Sequence, residues 1–353
     1  MRVKLKDITK FSKGTQINGK NLIDDGAYSY LNGGINPSGK WNEFNVAENT
    51  VTISEGGNSS GYVNYMNEAF WCGAHCYYLY DGPKNSKYLY YALKSQQERL
   101  FRIRSGACMP NIKKSDLGNF IIEYEEDETR QEEVVKVLEK CELLIEDYNK
   151  KLALLDEAVR ARFVEMFGDP VINSCQFPVQ PMTDICDIID GDRGKNYPKS
   201  EEILDDGYCL FLNAKNVTQK GFDFENCNFI TREKDDALRN GKLSRGDVVL
   251  TTRGTVGNLA YYSKNVPYEN IRINSGMVIL RMNRSILNEI YFIELFKMKL
   301  SDIKEKIASG SAQPQLPIST MNKIILMIPP LELQNQFASF VQEIDKSRLL
   351  SNH

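Results

Sequence analysis

The chain contains one module twice. Ser105-Gly106-Ala107-Cys108-Met109-Pro110-Asn111-Ile112 is matched 204 positions later by Ser309-Gly310-Ser311-Ala312-Gln313-Pro314-Gln315-Leu316, and Phe120-Ile121-Ile122 by Ile324-Ile325-Leu326 at the same offset. Upstream, Asp24-Asp25-Gly26 with Leu31-Asn32 pairs with Asp205-Asp206-Gly207 with Leu212-Asn213, and Asp7-Ile8 with Asp184-Ile185, at offsets that drift as loops lengthen. Stacked solenoid repeats run about 20 to 50 residues, so a period this long predicts two similar domains, each with its own core.

A different pattern lies between the copies. Val134, Leu138, Cys141, Ile145, Tyr148, Leu152, Leu155, Val159, Arg162 and Met166 are spaced alternately by four and three residues, with charged residues between them and no internal Gly or Pro. Such a heptad seam suits a long coiled-coil helix better than a core helix of a bundle. Gly168 and Pro170 end the pattern, giving a helix from about Asp127 to Phe167, roughly 60 Å long at 1.5 Å per residue. After Pro329-Pro330, the run Leu331-Glu332-Leu333-Gln334 with Phe337, Val341 and Ile344 begins a second such helix. At the same offset His353 corresponds to Asn149, so this helix is expected to be about half as long as the first. That leaves Leu152, Leu155 and Val159 as an uncovered apolar stripe that favours self-association or a partner protein.

The domains themselves read as α+β. Strand-like runs at 49–54, 76–80, 247–252 and 277–282 alternate with Gly and Asn turns, and helices are expected at 87–104 and 285–308. The predicted organisation is a first domain over 1–126, a helix over 127–168, a second domain over 169–328 and a shorter C-terminal helix over 329–353.

Charge is informative only by segment. The net charge is −3, yet residues 1–126 carry 15 Lys+Arg against 13 Asp+Glu, and 127–169 carry 7 against 12. The acidity belongs to the helix, which leaves the domains free to present a local basic face. Eight cysteines at irregular spacings suit free thiols in a reducing compartment. No apolar run approaches the roughly 18 to 20 residues of a membrane span, so a cytoplasmic protein with no membrane partner is expected.

Catalytic patterns are weak throughout. Gly14 to Lys20 follows a phosphate-loop spacing, but Asn21 stands where a Ser or Thr would hold magnesium. Cys72, His75 and Cys76 lie close together without the fourth ligand of a zinc site, and a buried strand is the plainer reading. Polar loops are more promising for nucleic acid. Arg253, Thr255 and Asn258 sit in a glycine-bearing loop after an apolar strand, where Arg suits guanine, Asn suits adenine and glycines admit a phosphate. The first copy keeps the glycines and loses the Arg, with Asn58 and Ser59 in its loop. Arg193, Lys195 and Asn196, Lys215 and Asn216, and Lys13, Thr15 and Gln16 complete the candidate DNA-binding set. The alternative for each is a solvated turn.

Taken in order, these motifs resemble the specificity subunit of Type I restriction–modification systems. The resemblance rests on Gly310-Ser311-Ala312-Gln313-Pro314-Gln315-Leu316, on Pro329-Pro330-Leu331-Glu332-Leu333-Gln334 and on Arg162-Phe163-Val164-Glu165-Met166-Phe167-Gly168-Asp169-Pro170. The first copy departs from it by replacing Pro-Pro-Leu with Glu125-Glu126-Asp127. The resemblance implies a non-catalytic subunit whose two target recognition domains each read half of a split double-stranded DNA sequence. Antiparallel helices would space the halves, with Val134, Leu138, Ile145, Leu152, Leu155 and Val159 in their seam. It also implies methyltransferase subunits using S-adenosylmethionine and restriction subunits using ATP and magnesium, with no cofactor in this chain. The rival readings are a standalone restriction or modification enzyme, against which the missing catalytic motifs count, a coiled-coil scaffold, and an inactive, shortened specificity subunit.

Overall fold

The structure, a computed structural model, describes residues 1–106, 109–308 and 315–350, without the side chains of 301–308 and 349–350. Ala107, Cys108 and Ser309 to Pro314 of the repeated motif lie outside the described residues. The chain forms two compact units, Met1–Tyr148 and Asn149–His353, so the long central helix contributes to both.

In the first unit, β1 (Arg2–Lys4) leads into a one-turn helix α1 (Leu5–Ile8) and then β2 (Lys10–Lys13), β3 (Tyr28–Leu31), β4 (Gly39–Trp41), β5 (Thr50–Ser54), β6 (Val63–Met66), β7 (Phe70–Cys72) and β8 (Cys76–Tyr80). The main antiparallel sheet has the order β2-β8-β5-β6. A smaller sheet, β4-β3-β7, includes a parallel pair that aligns Leu31 with Cys72. Helices α2 (Ser86–Lys94), α3 (Gln97–Arg102) and α4 (Lys114–Gly118) precede β9 (Ile121–Glu123), which pairs with β1. The core gathers Val51 and Ile53 of β5, Tyr77 and Leu79 of β8, and Leu89, Leu93 and Leu100 of the helices. The single helix expected at 87–104 is interrupted at Ser95 and Gln96, and Gln97 opens α3 with its side-chain amide bonded to the backbone around β6. This amide accepts from the Val63 N–H at 3.0 Å and donates to the Gly61 carbonyl at 2.6 Å.

The central helix α5 spans Glu128–Phe167. Gln131, almost fully buried in its first turn, donates to the Tyr124 hydroxyl and the Glu125 carbonyl. Within the first unit the helix meets α2 through polar pairs, Lys87 with Glu139 and Tyr91 with Glu142. That contact leaves Val134 and Ile145 exposed, at 41% and 61%, and Leu138 half-buried. The expected seam is therefore not a continuous buried stripe.

The second unit repeats the two sheets and the terminal strand pair of the first and adds a small hairpin. Its elements are β10 (Val179–Pro181), α6 (Met182–Ile185), β11 (Cys186–Asp190), β12 (Cys209–Leu212), the small hairpin β13 (Val217–Thr218) and β14 (Gly221–Phe222), β15 (Phe229–Ile230), α7 (Arg232–Ala237), β16 (Val248–Thr251), β17 (Leu259–Tyr261), β18 (Ile271–Ile273), β19 (Met277–Met282), α8 (Glu289–Ala308), α9 (Ile318–Met321), β20 (Ile325–Met327) and α10 (Leu331–Leu350). The main sheet is β11-β19-β16-β17, the smaller sheet β15-β12-β18 again has one parallel pair, and β10 pairs with β20. Helix α8 starts four residues later than the expected Ser285, because the Asn288 side chain accepts from the Ile290 N–H and caps it there.

The end of α5 is anchored in this unit by an aromatic cluster. The ring of Phe163 stacks on Tyr291 at 5.6 Å and meets Phe337 edge-on at 5.4 Å, with Phe167 packed against both. Phe337 beside Phe163 and an Arg348–Asp156 ion pair make α10 antiparallel to α5. This direction corrects the expectation for the stripe. Val159 is buried and Leu152 and Leu155 are half-buried, because an antiparallel helix covers that end first. The exposed apolar stretch lies instead around Val137, Leu144 and Ile145. No described helix is long and apolar enough to cross a membrane.

Candidate nucleic-acid interface

In each unit the loops at one end of the main sheet are tied to one another by the same set of backbone hydrogen bonds. In the first unit Gly73 N–H donates to the Leu31 carbonyl, Glu55 N–H to the His75 carbonyl and Ile112 N–H to the Glu55 carbonyl, at 2.8, 2.8 and 2.9 Å. In the second, Asn274 donates to Leu212, Thr252 to Gly276 and Leu316 to Thr252, at 3.2, 2.9 and 3.0 Å. Isolated bridges join Gly56 to Asn111 and Arg253 to Gln315. Glu55 is thus the counterpart of Thr252, and Gly56 of Arg253. Both loops then turn through left-handed glycines, Gly57 and Gly61 in one and Gly254 and Gly257 in the other, a conformation that L side chains rarely adopt.

The second-unit rim brings several predicted residues together. The Arg193 guanidinium pairs with Asp190 at 3.1 Å and donates to the Ser275 carbonyl at 3.2 Å, while the next carbonyl, Gly276, accepts from Thr252 and Arg253. Lys195, Lys215, Arg253 and Thr255 are exposed. Asn196 is half-buried and donates to the Ala237 carbonyl at 2.9 Å. Two predicted contacts are removed by the structure. Asn216 is buried, donating to the Asp223 and Asn226 carbonyls and accepting from Asn213 N–H, and Asn258 is buried with its amide on the Val217 carbonyl at 2.9 Å. Each side chain folds its own loop and has no edge left for a base.

The loops of this rim have a buried ionic brace that the sequence did not reveal. Asp235, fully buried, pairs with Arg272 and Lys242, and Arg272 also donates to the carbonyls of Asp235, Leu238 and Asn240. Burial opposes the charged carboxylate, but hydrogen bonds and charge from Lys242 and Arg272 outweigh it and hold Asp235 below the usual range. Asp192 is likewise lowered, by N–H groups of Gly194 and Arg239 that donate to it. These groups fix the segments carrying Arg193, Lys195 and Arg239. An isolated Arg within an apolar strand, Ile271-Arg272-Ile273, was the available signal.

The first-unit rim has a different character. Lys13 is exposed at the end of β2 and pairs with Glu55, whose other oxygen lies 3.6 Å from His75 Nδ1. Thr15 and Gln16 are exposed beyond it. Ser59 donates to the Gly33 carbonyl at 2.5 Å, and exposed Asn58 accepts at its carbonyl from Arg104 at 3.3 Å. Cys72 and Cys76 are buried while His75 is mostly exposed, so thiols and imidazole do not converge. Hydrogen bonding to Cys76 and burial push the Cys72 thiol up, away from a reactive thiolate. The phosphate-loop-like segment at 14–21 runs from β2 into a 3-10 turn at Gly19–Asn21, not from a strand into a long helix.

Both units therefore present polar, partly basic loops on a rigid backbone frame, with different side chains on equivalent positions. A family model described as the Type I restriction modification DNA specificity domain matches residues 1–156 and 177–353. The chain is 28% identical over 353 residues to a Mycoplasma genitalium protein provisionally named a type I specificity subunit, covering 95% of this chain and 84% of that one. A similarly named Mycoplasma pneumoniae protein is 26% identical over 357 residues, covering 97% and 88%. The crystal structure of a Type I restriction–modification S subunit from M. genitalium shares the fold with a TM-score of 0.61 at 22% identity, over 100% of this chain and 91% of that one. With two matched segments that together take in both α+β units, the chain belongs to the family of Type I restriction–modification DNA specificity subunits.

Proposed function

We propose that this chain is the sequence-reading subunit of a Type I restriction–modification complex, each unit reading one half of a split double-stranded DNA target. The observation that carries this reading is the duplicated rim. One backbone frame is built twice, and its exposed side chains differ between the copies, as two readers of different half-sites require. Exposed Lys195 and Lys215 suit phosphates, while Arg253 and Thr255 in the second unit, and Gln16 and Asn58 in the first, suit base edges; Ser59 is half-buried with its hydroxyl on the Gly33 carbonyl. The α5–α10 pair sets the spacing between half-sites. The exposed apolar positions Val137, Leu144 and Ile145 suit docking of a methyltransferase subunit.

Methyl transfer and cleavage belong to partners in this reading. S-adenosylmethionine would be bound by the methyltransferase subunits, and ATP with magnesium by restriction subunits. Co-expression with the neighbouring methyltransferase subunit, followed by mapping of methylated bases across the host genome, tests it. A split, asymmetric motif is the expected result. A palindromic motif would mean that only one unit reads DNA, and absence of methylation would overturn the proposal.

A further inference from the structure

We propose that Arg253 reads a guanine in the half-site of the second unit, and that Gly56 is the vacant counterpart of this reader in the first. The inference rests on the DNA-reading function proposed above. The backbone of Arg253 is held on both sides, by its N–H on the Gly276 carbonyl at 3.2 Å and by the bridge to Gln315. Its side chain is exposed, and no described residue pairs with the guanidinium. Four other arginines of the unit are already engaged: Arg193 with Asp190, Arg272 with Asp235, Arg281 with Asp247 and Arg245 with backbone carbonyls. A planar fork of donors on a braced backbone matches the O6 and N7 acceptors of guanine in the major groove.

A phosphate would also accept from this fork, but the repeat argues for a base. The DNA backbone is chemically the same at both half-sites, so a phosphate contact at this position has a use in either copy. The frame is retained in both copies, and among the positions that differ between the two loops the first has Gly56 where the second has Arg253. A contact specific to one half-site explains that difference. The vacancy can also be filled. Among the described residues a Cβ built on Gly56 meets nothing closer than the Pro110 carbonyl oxygen at 4.0 Å, and Gly56 is not among the residues with positive φ.

The test uses the full chain assembled with its methyltransferase subunits, and duplexes carrying the mapped motif with each guanine replaced in turn by 7-deazaguanine. The wild type should lose roughly 10- to 100-fold in affinity at one guanine of one half-site, and Arg253→Ala should be insensitive to that replacement. Gly56→Arg should add a preference for guanine at one position of the other half-site. Arg253→Lys, which keeps the charge without the fork, should bind DNA but discriminate less at that position. If Arg253→Ala proves unstable by thermal melting, Gly56→Arg and Arg253→Lys still decide the question. Unchanged discrimination in Arg253→Ala, or a uniform loss for all sequences with a smaller salt dependence, would overturn the assignment of a base. A wild-type complex with no sequence preference would instead overturn the DNA-reading function itself.

Discussion

Asn216 and Asn258 show how a polar loop residue can look like a reader and be a strut. Both follow or flank glycine-bearing, strand-ending loops, and in sequence nothing separates an amide aimed at solvent from one aimed at its own main chain. The structure turns both inward. Replacing Asn258 with Ala strands the buried Val217 carbonyl and should cost about 1–3 kcal/mol of stability. Base preference of the assembled complex should be unaffected. Chemical denaturation and motif mapping of one variant measure both, and an altered motif at unchanged stability would reverse the assignment. Lys195, Lys215, Arg253 and Thr255 are exposed, and no described residue bonds to their side chains. The Arg272–Asp235 brace was missed because its partners are 37 positions apart, and only the fold brings them together.

At the level of elements, the apolar spacing of α5 marked a long helix correctly, within a residue at its start. It could not say which stretch is covered, since covering depends on the direction of the second helix. Antiparallel packing buries the Phe163–Phe167 end and leaves Leu144 60% exposed. Leu144→Glu should therefore leave thermal stability within about 0.5 kcal/mol, as for most surface changes, yet reduce co-purification of the methyltransferase subunit. Equal recovery of the partner by variant and wild type would place docking elsewhere. The Pro-Pro-Leu-x-x-Gln motif also gains a physical meaning. Fully buried Gln334 donates to the Pro329 and Ile286 carbonyls and accepts from Asn288 N–H, tying the start of α10 to the start of α8. Gln131 makes a more local tie at the start of α5, donating to the Tyr124 hydroxyl and the Glu125 carbonyl.

For the whole molecule, duplication was the part of the fold most legible in sequence, because glycine and proline positions in shared turns survive while strand residues are exchanged freely among apolar types. The net charge of −3 was the least informative quantity, since the acidic helix masks the rims. DNA binding should nevertheless weaken steeply with salt. Lys195→Ala should flatten the slope of log affinity against log salt by about 0.9 if that ammonium lies on one phosphate. Titrations between 50 and 200 mM salt read this directly, and an unchanged slope would take Lys195 off the DNA. Each rim is held by main-chain bonds and, in the second unit, by buried side chains such as Asp192, Asn216, Asp235 and Asn258, so the exposed side chains of Lys195, Lys215, Arg253 and Thr255 are not needed to keep the loops in shape. A lineage can therefore rewrite the letters this protein recognises by point substitution, while the frame that displays them stays as it is.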